Sequence, residues 1–106
     1  MLHIKETNKE EIPYDLLYLA DEDDDQINKY INESIFFASY HDNEIIGIIG
    51  LKELNIKEIE IVCVAVYEKM QNQSFGKQLI EKAIEYSKNK KFKEIIPKLS
   101  DSNNFA

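Results

Sequence analysis

The sequence predicts an α/β (α+β) fold in which a mixed β-sheet carries flanking helices. Two observations lead to this prediction. Residues 58–66 form a β-branched and mostly apolar run, which is typical of a strand buried on both faces of a sheet. Residues 75–88 then place apolar side chains at helical spacing opposite lysines and glutamates, which indicates an amphipathic helix. The length of 106 residues suits one domain, so we expect residues 1–106 to fold as a single unit.

The first part of the chain predicts one strand and two helices. Residues 2–6 alternate between apolar and polar side chains and predict the first strand. Pro13 suits the first turn of the helix that follows, because proline is pre-organised for that position. Asp23 and Gln26 lie three residues apart and resemble a capping box at the start of a second helix.

The middle of the chain predicts a hairpin that leads into the buried strand. Residues 34–40 and 44–53 predict two strands around His41–Glu44, whose Asp and Asn tolerate the left-handed backbone of tight turns. After the amphipathic helix, residues 93–96 predict a fifth strand. We expect Pro97 to end that strand, because proline lacks the N–H that a ladder requires.

Composition and charge narrow the classes of partner. The formal net charge of −7 argues against nucleic acid, because phosphate contacts require a basic surface. No apolar run approaches the ~20 residues of a membrane-spanning helix, and the first residues are not typical of a signal peptide, so we expect no membrane partner. The single cysteine, Cys63, cannot form an intrachain disulfide. We therefore expect a cytoplasmic protein in which Cys63 is a small buried side chain.

A six-residue motif joins the buried strand to the amphipathic helix: Gln71-Asn72-Gln73-Ser74-Phe75-Gly76. It resembles the acyl-CoA-binding motif of the GNAT family of N-acetyltransferases, in which Arg or Gln, two residues, Gly, one residue and then Gly or Ala follow a strand valine. Gln71 and Gly76 match this pattern at the family's spacing from Val66, whereas Ser74 stands where the family prefers glycine. The predicted hairpin also resembles the second and third strands of the family, so the resemblance covers nearly the whole chain.

The resemblance implies that the chain binds acetyl-CoA as a co-substrate. In the family, backbone groups of the strand pair with the pantetheine arm beside a bulge that separates this strand from the fifth. Backbone N–H groups from Gln71 to Lys77 would then hold the pyrophosphate at the helix start, where the helix dipole favours anions. The implied cofactor-binding residues are Val64, Val66, Gln71, Asn72, Gln73, Ser74, Phe75, Gly76, Lys77 and Asn103.

Two residues of the motif carry specific expectations. Glycine is expected at Gly76 because a Cβ atom there would crowd the phosphate. We expect Ser74 to cap the helix rather than to bind phosphate, because serine is a favourable N-cap residue. If the Ser74 side chain crowds the loop, the affinity for the cofactor is reduced.

Transfer of an acyl group to an amine needs a base, because an alkyl ammonium has a pKa near ~10.4. Glu60 is the candidate catalytic residue, since it lies six residues before Val66, where histone-type members of the family carry their glutamate base. The alternative is that Glu60 pairs with a lysine or lines a solvated groove. Spacing assigns no general acid, and the two histidines have no partners at ligand spacing, so we expect no metal.

An acidic run, Asp21–Asp25, precedes the second helix. One interpretation is a solvated helix start whose carboxylates favour the positive end of the helix dipole. The other is a lip that attracts a cationic amine substrate. We favour the first interpretation, because runs of charge are usually solvated.

The C-terminus departs from the family. Residues 103–106 resemble the Asn-x-x-Ala segment that opens a further helix in the family, so we expect a C-terminally truncated member. The fifth strand would then be an exposed edge beside an uncovered apolar face of the sheet. Because exposed edges and apolar faces favour association, we expect a homodimer.

The resemblance therefore implies an N-acetyltransferase that transfers an acetyl group from acetyl-CoA to a primary amine of a small molecule or peptide. The alternative is a truncated, non-catalytic acyl-CoA-binding or interaction module. We disfavour a structural domain with a chance motif, because the strand, the loop and the helix agree with one another.

Overall fold

The computed structural model of the protein describes residues 2–71 and 73–97. The strands are β1 (Leu2–Thr7), β2 (Ile35–His41), β3 (Glu44–Glu53), β4 (Glu58–Val66) and β5 (Glu94–Pro97). The helices are α1 (Tyr14–Ala20), α2 (Asp24–Tyr30) and α3 (Phe75–Asn89), and short 3-10 turns lie at Lys9–Glu11 and Glu68–Met70. The predicted order of elements is therefore confirmed.

All five strands form one sheet in the order β1-β2-β3-β4-β5. β1 to β4 pair antiparallel, whereas β5 joins β4 in parallel after the crossover through α3, so the sheet is mixed as predicted. This arrangement is the α/β fold that the sequence predicts. No helix in residues 2–71 and 73–97 is long and apolar enough to cross a membrane.

The helices cover opposite faces of the sheet. α1 and α2 cover one face, and the buried side chains there include Leu16, Leu17, Ile27, Phe36, Ile48 and Ala65. α3 covers the other face, and the buried side chains there are Phe37, Ile49, Leu51, Ile59, Ile61, Val66, Leu79 and Ala83. β4 contributes to both cores, which confirms that it is buried on both faces and explains why its sequence does not alternate.

A β-bulge interrupts β4 near its centre. Gly50 of β3 pairs with Cys63, but the next residue, Leu51, pairs with Ile61, so Val62 is the extra residue of β4. Val62 and Cys63 consequently both belong to the core under α1 and α2. Gly50 provides the space for them, because a Cβ atom at Gly50 would lie 2.9 Å from Cys63 Sγ and 3.1 Å from Val62 Cγ2.

Tyr30, at the end of α2, packs into the same core as the bulge and is 5% exposed. Burial raises the pKa of the Tyr30 hydroxyl above its ordinary value, and the neighbouring Cys63 and Asp21 raise it further. The hydroxyl therefore stays protonated and uncharged inside the core, as a buried tyrosine must unless a cation compensates it.

Two of the turns and caps follow the sequence, and the start of α1 differs. Asp42 (φ 52°) and Asn43 (φ 69°) form the hairpin turn in the left-handed region, as predicted. Asp23 caps α2 by accepting a hydrogen bond from the N–H of Asp25 at 2.9 Å. Pro13 is the N-cap residue of α1 instead of a residue of its first turn, with φ −60° and ψ 132°. A proline before the helix costs no hydrogen bond, because no helical acceptor is required there.

The fifth strand was predicted over residues 93–96 and spans Glu94–Pro97, so Pro97 belongs to the strand instead of following it. Pro97 is the last described residue of β5 and pairs with Ile61 of β4. Within the described residues β5 lies at the edge of the sheet and pairs on one side only. Proline is tolerated on an edge strand, because only one side of the backbone has to form the ladder.

Candidate functional site

A cleft of about 660 Å³ opens where α1 and β4 end and α3 begins. α1 and the turn after it contribute one wall, the end of β4 forms the floor, and the loop before α3 forms the second wall. The described residues that line it are Leu19, Ala20, Glu22, Val64, Ala65, Val66, Gln71, Ser74, Phe75 and Gly76. Three separate segments of the chain therefore meet at this cleft.

Six of the predicted cofactor-binding residues line this cleft, namely Val64, Val66, Gln71, Ser74, Phe75 and Gly76. Gln73 and Lys77 are exposed next to them along the chain but are not part of the lining. Asn72 and Asn103 lie outside the described residues.

Sequence reasoning missed the wall that α1 contributes. Leu19, Ala20 and Ala65 carry no motif, and only the packing of α1 across β4 brings them to the cleft. For Glu22 the acidic run was a signal, although the sequence did not distinguish it from its acidic neighbours.

The end of β4 is suited to an extended ligand. The described pairing with β5 runs from Glu58 to Ile61 and stops where the bulge begins at Val62. Val64 and Val66, beyond the bulge, line the cleft. The bulge expected on this strand is therefore present, and it coincides with the end of the described parallel ladder.

Gln71 holds the loop against the end of β4. Its side-chain Nε2 donates a hydrogen bond to the carbonyl of Val66 at 3.1 Å, across the 3-10 turn between them. The backbone N–H of Gln71 donates to the carbonyl of Glu68 at 3.1 Å. The Gln71 amide is therefore already hydrogen-bonded within the protein, and the amides suited to an anion begin later in the loop than the resemblance implies.

The expectation that Ser74 caps α3 with its hydroxyl was wrong. Ser74 is the N-cap residue by position, but its side chain makes no capping hydrogen bond among the described residues. The reason is its backbone, which lies in the left-handed region at φ 66° and ψ 15°. An N-cap side chain reaches the helix from an extended backbone instead. Left-handed geometry favours glycine and costs other residues roughly 1–2 kcal/mol.

The first turn of α3 directs backbone N–H groups towards the loop and the cleft. The first intrahelical hydrogen bond runs from the N–H of Gln78 to the carbonyl of Ser74 at 3.0 Å. By helix geometry, the amides of Phe75, Gly76 and Lys77 then have no acceptor within the helix. Such amides at the positive end of a 15-residue helix form a site suited to phosphate.

Gly76 leaves open space beside these amides. A Cβ atom built at Gly76 would have one neighbour within 4 Å, the Val66 Cγ2 atom at 4.0 Å, which is an ordinary van der Waals contact. At Gly50, in contrast, a Cβ atom would clash with the core. A side chain at Gly76 would therefore not clash with the described residues. The glycine instead leaves space in the cleft that a ligand can occupy.

Tyr67 connects the two walls of the cleft. Its hydroxyl donates a hydrogen bond to Asp15 Oδ1 of α1 at 2.7 Å, and its N–H donates to the carbonyl of Ile46 at 3.0 Å. Burial raises the pKa of Tyr67 to about 12, and the hydrogen bond and negative charge of Asp15 contribute to the increase. Because Tyr67 directly follows the floor strand, this hydrogen bond links α1 to the start of the loop.

The acidic run has mainly structural roles. Asp21 is buried, against the expectation of a solvated side chain, and accepts a hydrogen bond from the N–H of Asp23 at 3.1 Å. Asp23 caps α2 as predicted, and Asp24 accepts a hydrogen bond from the Tyr14 hydroxyl. Glu22 is the exception, because it is exposed and lines the cleft.

Glu60 lies on β4 before the bulge and outside the described lining of the cleft. It is half-buried between Lys52 of β3 and Ile96 of β5, its neighbours in register. The ammonium of Lys52 lies 3.8 Å from a carboxylate oxygen of Glu33. Among the described residues, no three His, Cys, Asp or Glu side chains come together as a metal site.

Sequence comparison relates the chain to acetyltransferases. The model of the Acetyltransferase (GNAT) family matches residues 3–106. The chain is 38% identical over 84 residues to the uncharacterized N-acetyltransferase YvbK of Bacillus subtilis. That match covers 79% of this chain and 53% of YvbK, so the chain spans about half the length of this curated relative.

Solved structures of acetyltransferases share the fold. A GNAT family acetyltransferase from Elizabethkingia anophelis with acetyl-CoA bound has a TM-score of 0.87 and 35% identity, over 98% of this chain and 69% of its own. An acetyltransferase from Bacillus subtilis in complex with CoA has a TM-score of 0.72 and 36% identity, over 84% of this chain and 59% of its own.

The hydrogen bond between Tyr67 and Asp15 predicts a pH dependence of stability. The folded pKa of about 12 lies above the ordinary value of 10.0, so folding favours the protonated hydroxyl. This contribution is complete below pH ~10 and is lost as the pH rises towards the folded pKa. We expect Tyr67→Phe to lower the free energy of unfolding by about 1 kcal/mol near neutral pH and to reduce the further loss in alkali.

Urea denaturation at a series of pH values measures this effect. Tyr18→Phe is the matched control, because Tyr18 is 46% exposed on the same helix as Asp15. Equal stability and equal alkaline profiles for the two variants would show that the Tyr67 hydrogen bond does not stabilise the fold.

Proposed function

This chain belongs to the acetyltransferase (GNAT) family, and from that premise we propose that it transfers an acetyl group from acetyl-CoA to a primary amine of a small molecule or peptide. The observation that carries the proposal is the cleft between α1, β4 and α3. It combines an apolar strand floor with helical amides that have no acceptor within the helix, which are the two environments that the arm and the phosphates of a coenzyme A thioester require.

In this proposal, different residues of the cleft contact different parts of acetyl-CoA. Val64 and Val66 contact the pantetheine arm, and Gln71, through its bond to the Val66 carbonyl, fixes the loop beside it. The amides of Phe75, Gly76 and Lys77 hold the pyrophosphate. Bound acetyl-CoA supplies the activated thioester. The Elizabethkingia anophelis and Bacillus subtilis structures described above contain acetyl-CoA and CoA, respectively, which supports this assignment of the cleft.

We propose that Glu60 is the base that takes the proton from the acceptor ammonium. Its half-buried position on β4, before the bulge, gives a carboxylate partial shielding from solvent. Because Glu60 does not line the described cleft, the proton reaches it through water. Its register neighbour Lys52 forms an ion pair with Glu33.

Substitutions of two glycines should affect different properties, namely CoA binding at Gly76 and stability at Gly50. Gly76→Leu should weaken CoA binding by about tenfold or more, because the side chain occupies space intended for phosphate, while the fold remains intact. Gly50→Ala should instead lower the free energy of unfolding by about 1–3 kcal/mol, because its Cβ atom overpacks the bulge.

Calorimetric titration with CoA and thermal unfolding of each variant provide the two measurements. Equal CoA affinities for wild type and Gly76→Leu would remove the phosphate site from the first turn of α3. Absence of binding to the wild-type chain at millimolar CoA would refute the proposed function, whereas CoA binding without acetyl transfer would favour a non-catalytic acyl-CoA-binding module.

The proposed base predicts a pH-dependent defect. Glu60→Gln should lower the rate of acetyl transfer roughly 100-fold near neutral pH, where the acceptor is protonated. The defect should shrink above the pKa of the acceptor, because the free amine no longer needs the base. Steady-state rates across pH measure this, with Glu58→Gln as control, since the Glu58 carboxylate is already held by Asn55 at 2.7 Å. A defect of equal size at every pH would indicate a structural glutamate.

We further propose a cytoplasmic homodimer. β5 has a strand neighbour on one side only within the described residues, and such an edge can pair with a second copy. The single cysteine forms no intrachain disulfide, which suits a reducing compartment. Sedimentation equilibrium at tens of micromolar should give twice the mass of the chain, and a single monomeric species would overturn the dimer.

A further inference from the structure

We propose that Glu22 selects the acceptor by binding a second ammonium group of the amine that is acetylated. The substrate class is then a diamine or polyamine, in which one amino group reacts and another stays protonated. This inference rests on the proposed acetyl transfer in the cleft and names the class of acceptor for that same site.

Glu22 gives the cleft its charge. It is the only charged side chain among the described residues of the lining, since the others are apolar, glycine or neutral polar residues. None of the ion pairs described in residues 2–71 and 73–97 involves Glu22. Among the described residues, the cleft therefore presents one negative charge that has no ion-pair partner.

The neighbours of Glu22 show that this position differs from the rest of the acidic run. Asp21 is buried and accepts the N–H of Asp23, and Asp23 caps α2. The hydrogen bond from Asp23 to Asp21 spans Glu22, and the N–H of Asp21 donates to the carbonyl of Leu17 at 3.0 Å. The acidic neighbours thus have structural partners that hold the backbone on both sides of Glu22, while its own side chain is exposed at the cleft.

The two walls of the cleft suit groups of opposite charge. The first turn of α3 presents amides and the positive end of the helix dipole, which suit the phosphates of the cofactor. Glu22 lies on the other wall, after α1, and suits a cation. A carboxylate in this cleft repels an anionic cofactor and attracts a cation. The Glu22 carboxylate therefore suits an acceptor that carries a positive charge.

The reacting amine is not the cation that Glu22 holds best. That amine must lose its proton before it attacks the thioester, so its attraction to a carboxylate falls as the reaction proceeds. A second amino group, with a pKa near ~10.4, stays protonated throughout at neutral pH. Glu22 can bind this second group equally well before and during the reaction, which lowers KM.

The test compares putrescine, which carries two amino groups, with butylamine, which has the same four-carbon chain and one amino group. Glu22→Gln should lower kcat/KM for putrescine about three- to tenfold, mainly by raising KM. It should change kcat/KM for butylamine by no more than about twofold. Asp25→Asn is the matched control. It removes one exposed negative charge from the same run, outside the described lining of the cleft. It should therefore leave kcat/KM unchanged for both amines.

Each outcome decides the assignment. Equal losses for putrescine and butylamine, equal effects of Glu22→Gln and Asp25→Asn, or a change confined to the KM of acetyl-CoA would overturn it. If neither amine is acetylated, calorimetry on the CoA-saturated protein replaces the rate. Putrescine binding that Glu22→Gln abolishes supports the assignment, and no binding to wild type overturns it. If the chain does not bind CoA, that result refutes the proposed function, and the acceptor assignment is refuted as well.

Discussion

The extra residue at Val62 determines which side chains of β4 meet each core and which meet the cleft. Before it, Ile59 and Ile61 face α3; beyond it, Val66 reaches the same core from an even-numbered position. A regular strand would have turned these later residues to the opposite face, because side chains alternate along a strand. Beyond the bulge, Val64, Ala65 and Val66 line the floor of the cleft. Gly50 makes this possible, since any larger residue would fill the space of the bulge.

Much of the fold follows from periodicity, and much of the site does not. The spacing of Leu79 and Ala83 predicts the buried face of α3, and the residue types of Asp42 and Asn43 predict the hairpin turn, because each depends on local rules. The left-handed backbone of Ser74 depends on how the loop is closed at both ends, which its residue type does not reveal. Leu19 reaches the cleft only because α1 crosses β4, and such a tertiary contact has no signature in a single sequence.

An acidic protein that binds an anionic cofactor needs local positive potential rather than a positive net charge. The chain carries a formal charge of −7, yet exposed charges are screened beyond ~8 Å at physiological ionic strength. Amides at the start of α3 act at hydrogen-bond distance and carry no counterion. The fold therefore separates positive potential from negative charge. The amides lie on one wall of the cleft and the Glu22 carboxylate lies on the other. The negative net charge argues against a nucleic-acid partner but does not argue against a phosphate ligand.

α1, which contributes the first wall of the cleft, and α2, which packs against it, are both short helices. α1 and α2 have seven residues each, whereas helices below ~12 residues are marginal in isolation. Packing of Leu16 and Leu17, together with the bond from Tyr67 to Asp15, keeps this wall in place. We expect this wall to open by local unfolding at a lower free energy than the central strands. Amide hydrogens of α1 should then exchange with solvent sooner than those of β3, and a ligand that touches both walls should slow that exchange without altering the sheet.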